Sequence, residues 1–164
     1  MSELSILSYL PGENADELEQ LQERVELVRH KLKFVELKPT VACISSLSPL
    51  KLAGGLVPEM IRLAGGTPVQ GNDLASVDPQ YIIVALEGSP FSTAMGQVDT
   101  LMALPGLEFL DAVKNGRIYL ANGDTHFNDS PESIVETVEM IGEILNPKQF
   151  AFGYEGEGWI KFSI

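Results

Sequence analysis

Apolar residues at Leu18, Leu21, Val25, Val28, Leu32 and Val35 follow one another in alternating steps of three and four. That spacing keeps them on one stripe of an α-helix, and Glu19, Glu23, Arg24, Glu26, Arg29 and Lys31 flank the stripe. The pattern predicts a helix over residues 13–36, capped by Asn14 and stopped by Pro39. A 3.5-residue period also fits a coiled-coil seam. With so few repeats, packing along a sheet or lobe is the simpler reading.

Beyond Pro39 the period changes. Thr40-Val41-Ala42-Cys43-Ile44 reads as a short buried strand with Ser45-Ser46-Leu47-Ser48-Pro49 as its exit loop. A helix is predicted over 55–64, ended by Gly65-Gly66, then one helical turn over 73–77. Tyr81-Ile82-Ile83-Val84-Ala85-Leu86 is a continuous β-branched run, the mark of a strand covered on both faces. Helices over 91–103, interrupted in propensity at Gly96, and over 107–113 lead to a strand at 117–121. Ser130 caps a last helix with Pro131 in its first turn, Ile134, Val138, Ile141 and Leu145 as its inner stripe, and Pro147 as its end. The Gly- and aromatic-rich tail from Phe150 to Phe162 adds an edge strand or wraps over an exposed face. Alternation of strands and helices predicts a three-layer α/β fold with a mainly parallel, doubly wound sheet, preceded by a long helix.

A chain of 164 residues makes one ordinary domain, and a net charge of −12 argues against nucleic acid as a partner and against anionic membranes. No stretch is long and apolar enough to span a bilayer. Met1-Ser2-Glu3 is acidic where an export signal needs positive charge, so the chain as written is expected in the cytoplasm. A leaderless fragment would instead be periplasmic or surface-anchored. Two histidines and a single cysteine exclude a Cys-rich zinc framework, and Cys43 reads as a buried small hydrophobe.

Ligands of parallel sheets bind beyond the carboxyl ends of the strands. Three loops meet that condition: Ser45–Pro49, Glu87–Phe91 and Asn122–Asn128. They supply Ser45, Ser46, Leu47, Ser48, Glu87, Ser89, Phe91, Asp124, Thr125, His126 and Phe127, a wall for a medium-sized polar ligand. His126 reads either as a metal or corrinoid ligand or acid–base group near Asp124, or as a loop histidine hydrogen-bonded to backbone next to the cap of the last helix; nothing in the spacing selects a metal. His30 reads as solvated. No Gly-x-Gly-x-x-Gly, phosphate loop or Gly-x-Ser-x-Gly elbow is present, which leaves no motif for a catalytic role. The pairs Gly54-Gly55 and Gly65-Gly66 bracket a helix and read as structural.

Ala53-Gly54-Gly55-Leu56-Val57-Pro58-Glu59, Ala64-Gly65-Gly66, Asp78-Pro79-Gln80-Tyr81-Ile82, Leu104-Pro105-Gly106-Leu107, Asn115-Gly116-Arg117-Ile118-Tyr119 and Phe127-Asn128-Asp129-Ser130-Pro131 occur in one order. That series resembles the C-terminal lobe of the vitamin B12 and iron-siderophore binding proteins of ABC importers. Gly153-Tyr154-Glu155-Gly156-Glu157-Gly158-Trp159 also looks like the end of cobalamin-binding members. The resemblance implies a non-enzymatic binding lobe over 39–164, preceded over 1–38 by a strand remnant and a connector helix. A corrinoid or chelated iron would be the ligand, Glu59 the docking contact with an ABC permease, and a homodimer the means of covering the face that a second lobe covers in relatives. The chain departs from the cobalamin-type pattern at Ser45–Pro49, where an acidic residue and an aromatic are usual, and at Gly55-Leu56, where a Trp is usual. The alternative is a cytosolic interaction or regulatory protein that kept the fold and lost the ligand.

Overall fold

Side chains alternate across each strand, and that alternation sorts the core into two halves. The computed structural model describes residues 15–47, 50–69, 74–127 and 131–162. Its elements are α1 (Ala15–Leu32), β1 (Thr40–Leu47), β2 (Leu50–Leu52), α2 (Val57–Leu63), β3 (Thr67–Pro68), α3 (Leu74–Val77) and β4 (Tyr81–Val84). There follow α4 (Phe91–Gly96), α5 (Val98–Met102), a 3-10 turn (Leu107–Phe109), α6 (Asp111–Lys114), β5 (Ile118–Ala121), α7 (Pro131–Leu145) and β6 (Trp159–Phe162). Val41, Cys43, Ile83, Tyr119 and Ala121 face α1, α2 and α7, whereas Ala42, Ile44, Ile82, Val84, Ile118 and Leu120 face α3 to α6. The result is the three-layer arrangement that the sequence predicts.

Strands β1, β3, β4 and β5 are parallel, and β2 and β6 run antiparallel to β1 and β5. Across the sheet, Ile44, Val84 and Leu120 stand level, so the carboxyl ends of β1, β4 and β5 open along one edge. The tail forms the edge strand β6, pairing Ile118 with Phe162 through Ala121 with Trp159. One expectation fails here. Residues 45–47 continue β1 and turn back into β2, so the predicted exit loop is part of a hairpin. A bulge between Ile44 and Ser46 shifts the alternation, which carries Leu47 to the same side as Ile44. The predicted helix over 91–103 breaks at Gln97, next to Gly96, into α4 and α5.

Helix α1 ends at Leu32, short of the predicted limit, and beyond it Phe34 stays exposed, edge-on to the His30 ring. Its seam is spent inside the chain, since Leu21, Val25 and Val28 are buried against α7 and α2. Packing on the lobe, and not a coiled coil, accounts for the period. Asn14 and the Ser5–Gly12 segment lie outside the described residues.

Helix α7 is buried well beyond its predicted stripe. Val135, Thr137, Glu139, Met140, Glu143 and Ile144 join Ile134, Val138, Ile141 and Leu145 in the interior. Buried carboxylates are tolerable only when fully partnered. Glu143 accepts hydrogen bonds from the backbone N–H groups of Phe152, Gly153 (2.9 Å) and Tyr154 (3.1 Å) and from Trp159 Nε1 (3.0 Å). Glu139 takes a two-pronged contact from Arg24 of α1 (3.1 and 2.5 Å) and a hydrogen bond from the Tyr154 hydroxyl (2.8 Å). Burial and the Glu139 contact both push the Tyr154 hydroxyl well above its usual range, which keeps it a donor.

Replacing Glu143 with Ala should cost about 3–5 kcal/mol in urea unfolding, because buried N–H donors lose their acceptor; Glu143→Gln, which keeps one oxygen, should cost less. Desolvation pushes the Cys43 thiol up to about 12, so a thiol reagent should label it only as the chain unfolds, at a rate that rises with urea.

Candidate functional site

Strand β1 leads to α2 on one face of the sheet, and β4 leads to α4 on the other. Connections that diverge in this way leave a crevice between the two carboxyl ends, the usual ligand position in a doubly wound sheet. A cleft of about 530 Å³ lies there. Ser45, Ala53 to Val57 and Met60 form its β1–α2 wall; Ala85, Glu87 and Gly88 come from the β4–α4 loop; Gly123, Asp124 and Phe127 come from the β5–α7 loop.

The local sequence explains each wall. A Cβ added at Gly54 or Gly55 would meet nothing within 4 Å, so the backbone of this pair lies bare to the cleft, and Gly55 uses a φ of +61°. Gly123 is required for the opposite reason. A Cβ there would stand 2.0 Å from the Leu86 carbonyl oxygen. That close approach lets Gly88 N donate to the Gly123 carbonyl (3.0 Å) and Gly123 N donate to the Ser89 carbonyl (2.7 Å), zipping the two loops together. Asn122 braces them by accepting from Phe91 N (2.8 Å) and donating to the Glu157 carbonyl (2.8 Å). Phe127 holds φ +62°, a costly region for a non-glycine residue, and its N–H is pinned to Thr137 Oγ1 (2.9 Å).

The cleft is acidic. Glu87 and Asp124 line it, and among the described residues no Lys or Arg does. Its floor is apolar, from Ala53, Leu56, Val57, Met60 and Phe127. A body with an apolar surface and outward-facing hydrogen-bond donors matches this lining.

Of the residues that the sequence marks, Ser45, Glu87, Asp124 and Phe127 meet at the cleft. Ser45 also donates to the Lys51 carbonyl across the hairpin (3.3 Å). Ser46 is half-buried on β1, and Leu47 is buried on the opposite side of the sheet. Ser89 serves through its backbone, and Phe91, the first residue of α4, is partly buried against the half of the core that faces α3 to α6. Ser48 lies outside the described residues, as does Ser130. His126 is buried away from the cleft, its Nε2 3.1 Å from Glu136 Oε2 and its Nδ1 2.9 Å from Thr125 Oγ1. Asp124 turns to Thr125 N (2.8 Å), so it does not pair with the imidazole. The second of the two readings of His126 therefore describes its surroundings, with side chains in place of backbone as partners. Among the described residues no group of three or more His, Cys, Asp and Glu is gathered to hold a metal ion. Glu59 sits in the first turn of α2 beside the cleft wall and pairs with Arg62 (2.6 Å). Gly54 and Gly55, read as helix brackets, are cleft residues; their adjacency just after a strand is the signal that sequence reasoning passed over.

The chain is a doubly wound α/β domain with a crevice at the switch point of its sheet. Its fold is that of the TroA-like substrate-binding proteins of ABC transporters. The TroA-like periplasmic binding protein FepB from Veillonella parvula matches with a TM-score of 0.70 at 14% identity, over 91% of this chain and 56% of that one. An ABC transporter substrate-binding protein from Listeria monocytogenes EGD-e matches at 0.64 and 19% identity, over 79% and 57% respectively. The periplasmic heme-binding protein BhuT, solved with two hemes, matches at 0.64 and 20% identity, over 82% and 56%. The chain thus spans little more than half the length of these proteins. No family model and no curated protein sequence matches it.

Gly123→Ala should force the two loops apart and cost about 1–3 kcal/mol in urea unfolding, whereas Gly54→Ala, in open space, should leave the midpoint nearly unchanged.

Proposed function

We propose that this chain is a non-enzymatic, receptor-like binding lobe that holds a corrinoid or a chelated iron at the switch-point cleft and works with an ABC permease. The observation that carries this reading is the cleft itself. It is about 530 Å³, within the range of about 300–1,000 Å³ typical of small-molecule sites, apolar at its floor and acidic at its rim. The similar structures support the ligand class, since one is a heme-binding protein and another an iron-binding candidate from Staphylococcus epidermidis. The periplasmic setting of such proteins supports a place outside the cytoplasm. Glu59 is the proposed permease contact, being on the rim helix α2.

The cleft opens on one side, and a second copy of the chain related by two-fold symmetry is the proposed cover. A ligand held by one wall keeps part of its surface in water, so affinity in the absence of a cover falls below that of an enclosed site.

Isothermal titration with cyanocobalamin, cobinamide, a ferric siderophore and hemin should yield micromolar binding for at least one, weakened about tenfold by Glu87→Ala with Asp124→Ala. Absence of heat with all four would remove the reading and leave the alternative of a regulatory protein that lost its ligand. Sedimentation velocity should show a dimer that the bound ligand strengthens; a monomer at every concentration, with and without ligand, would discard the second copy.

A further inference from the structure

The charges of this chain are sorted along its sheet. Arg29, Lys31, Lys33, Lys38, Arg62 and Arg117, six of its eleven Lys and Arg residues, collect at the amino end of the strands. Arg24 is engaged by Glu139. The cleft at the carboxyl end is left with Glu87 and Asp124, both exposed, and with no cationic side chain on its lining among the described residues. Lys51 belongs to the hairpin beside it, but only the backbone carbonyl of that residue meets a cleft residue, Ser45 (3.3 Å). Asp124 accepts from Thr125 N (2.8 Å), which fixes its carboxylate at the rim.

A carboxylate carried into this cleft would meet two groups of its own sign and no side chain to neutralise it. Salt at 0.1 M screens charges beyond about 10 Å, but not those in contact within a complex. A cation, or a body rimmed by N–H groups, meets the same two carboxylates as acceptors. We infer that Glu87 and Asp124 select the ligand by charge, an inference that rests on the cleft being the receptor site. The cleft takes neutral or cationic complexes with N–H donors on their periphery and rejects anionic ones. Its apolar floor is indifferent to sign, so the rim decides. Amide-rimmed corrinoids and ferric hydroxamates bearing an ammonium group share the accepted chemistry. Heme, with its propionates, and ferric triscatecholates fall on the rejected side, although a heme-binding protein shares the fold.

Isothermal titration of the full chain with probes that share a body and differ in charge tests this. One series is ferrioxamine ending in a free ammonium, an acetyl or a succinyl group. The other is cyanocobalamin against its monocarboxylate, in which a peripheral amide is hydrolysed. In each series that binds, affinity should fall about tenfold per unit of charge toward negative, less steeply as salt rises. Glu87→Gln with Asp124→Asn should bring the members of a series within about threefold of one another. The thermal midpoint should hold, because Asn keeps an acceptor for Thr125 N. Asp99→Asn with Glu108→Gln removes as much charge from exposed positions outside the cleft and should leave the order intact. A flat or reversed order, an order that survives the cleft variant, or one that the outer variant abolishes as fully would overturn the inference and leave the cleft a binding site. Hemin bound as tightly as the ammonium ferrioxamine would do the same. No binding in either series removes the receptor site itself, and the inference with it.

Discussion

Two carboxylates on one buried helix hold this lobe together. Glu139 and Glu143 stand one turn apart on α7, in an interior where an unpaired charge would be intolerable. Glu139 ties α7 to α1 through Arg24, and Glu143 ties it to the tail through three backbone amides and an indole N–H. The tail is thereby fixed where β6 can pair with β5, and Trp159 reaches Tyr119 edge-on with ring centres 5.5 Å apart. Thr137 and Glu136 on the same helix hold the Phe127 amide and the His126 ring. One helix thus positions α1, the last strand and the third wall of the cleft.

The cleft depends on that helix at one remove. Phe127 keeps its left-handed backbone because Thr137 accepts its N–H, and Gly123 sits against Leu86 because no side chain intervenes. These are rigid supports for a wall that is otherwise loop. The acidic rim and the bare glycine pair lie at the crossing point of the sheet's winding, where two connections leave for opposite faces. Fold and crevice are consequences of one topology.

The sheet was legible because its strands are apolar runs that no other element could use: Val41 to Ile44, Tyr81 to Val84 and Ile118 to Ala121. The hairpin of β1 and β2 was hidden by Ser45 and Ser46, whose composition reads as loop, and by a bulge that breaks the period. The inward carboxylates of α7 were hidden for a different reason. Glu on a helix reads as a solvated face, and only the contact with a segment far along the chain, Tyr154 or Trp159, reveals it as core. Of the marked site residues, those whose side chains point off the strand ends, such as Glu87 and Asp124, reach the crevice. Those whose neighbours in the fold compete for them, His126 above all, are drawn elsewhere.

The anchoring of residues 152–159 on Glu143 also sets an order of events during synthesis. While that segment is still inside a ribosome, Glu143 carries its charge without the donors that satisfy it, so the domain can collapse but not settle. The last strand acts as a latch, and maturation of the whole lobe waits on its release.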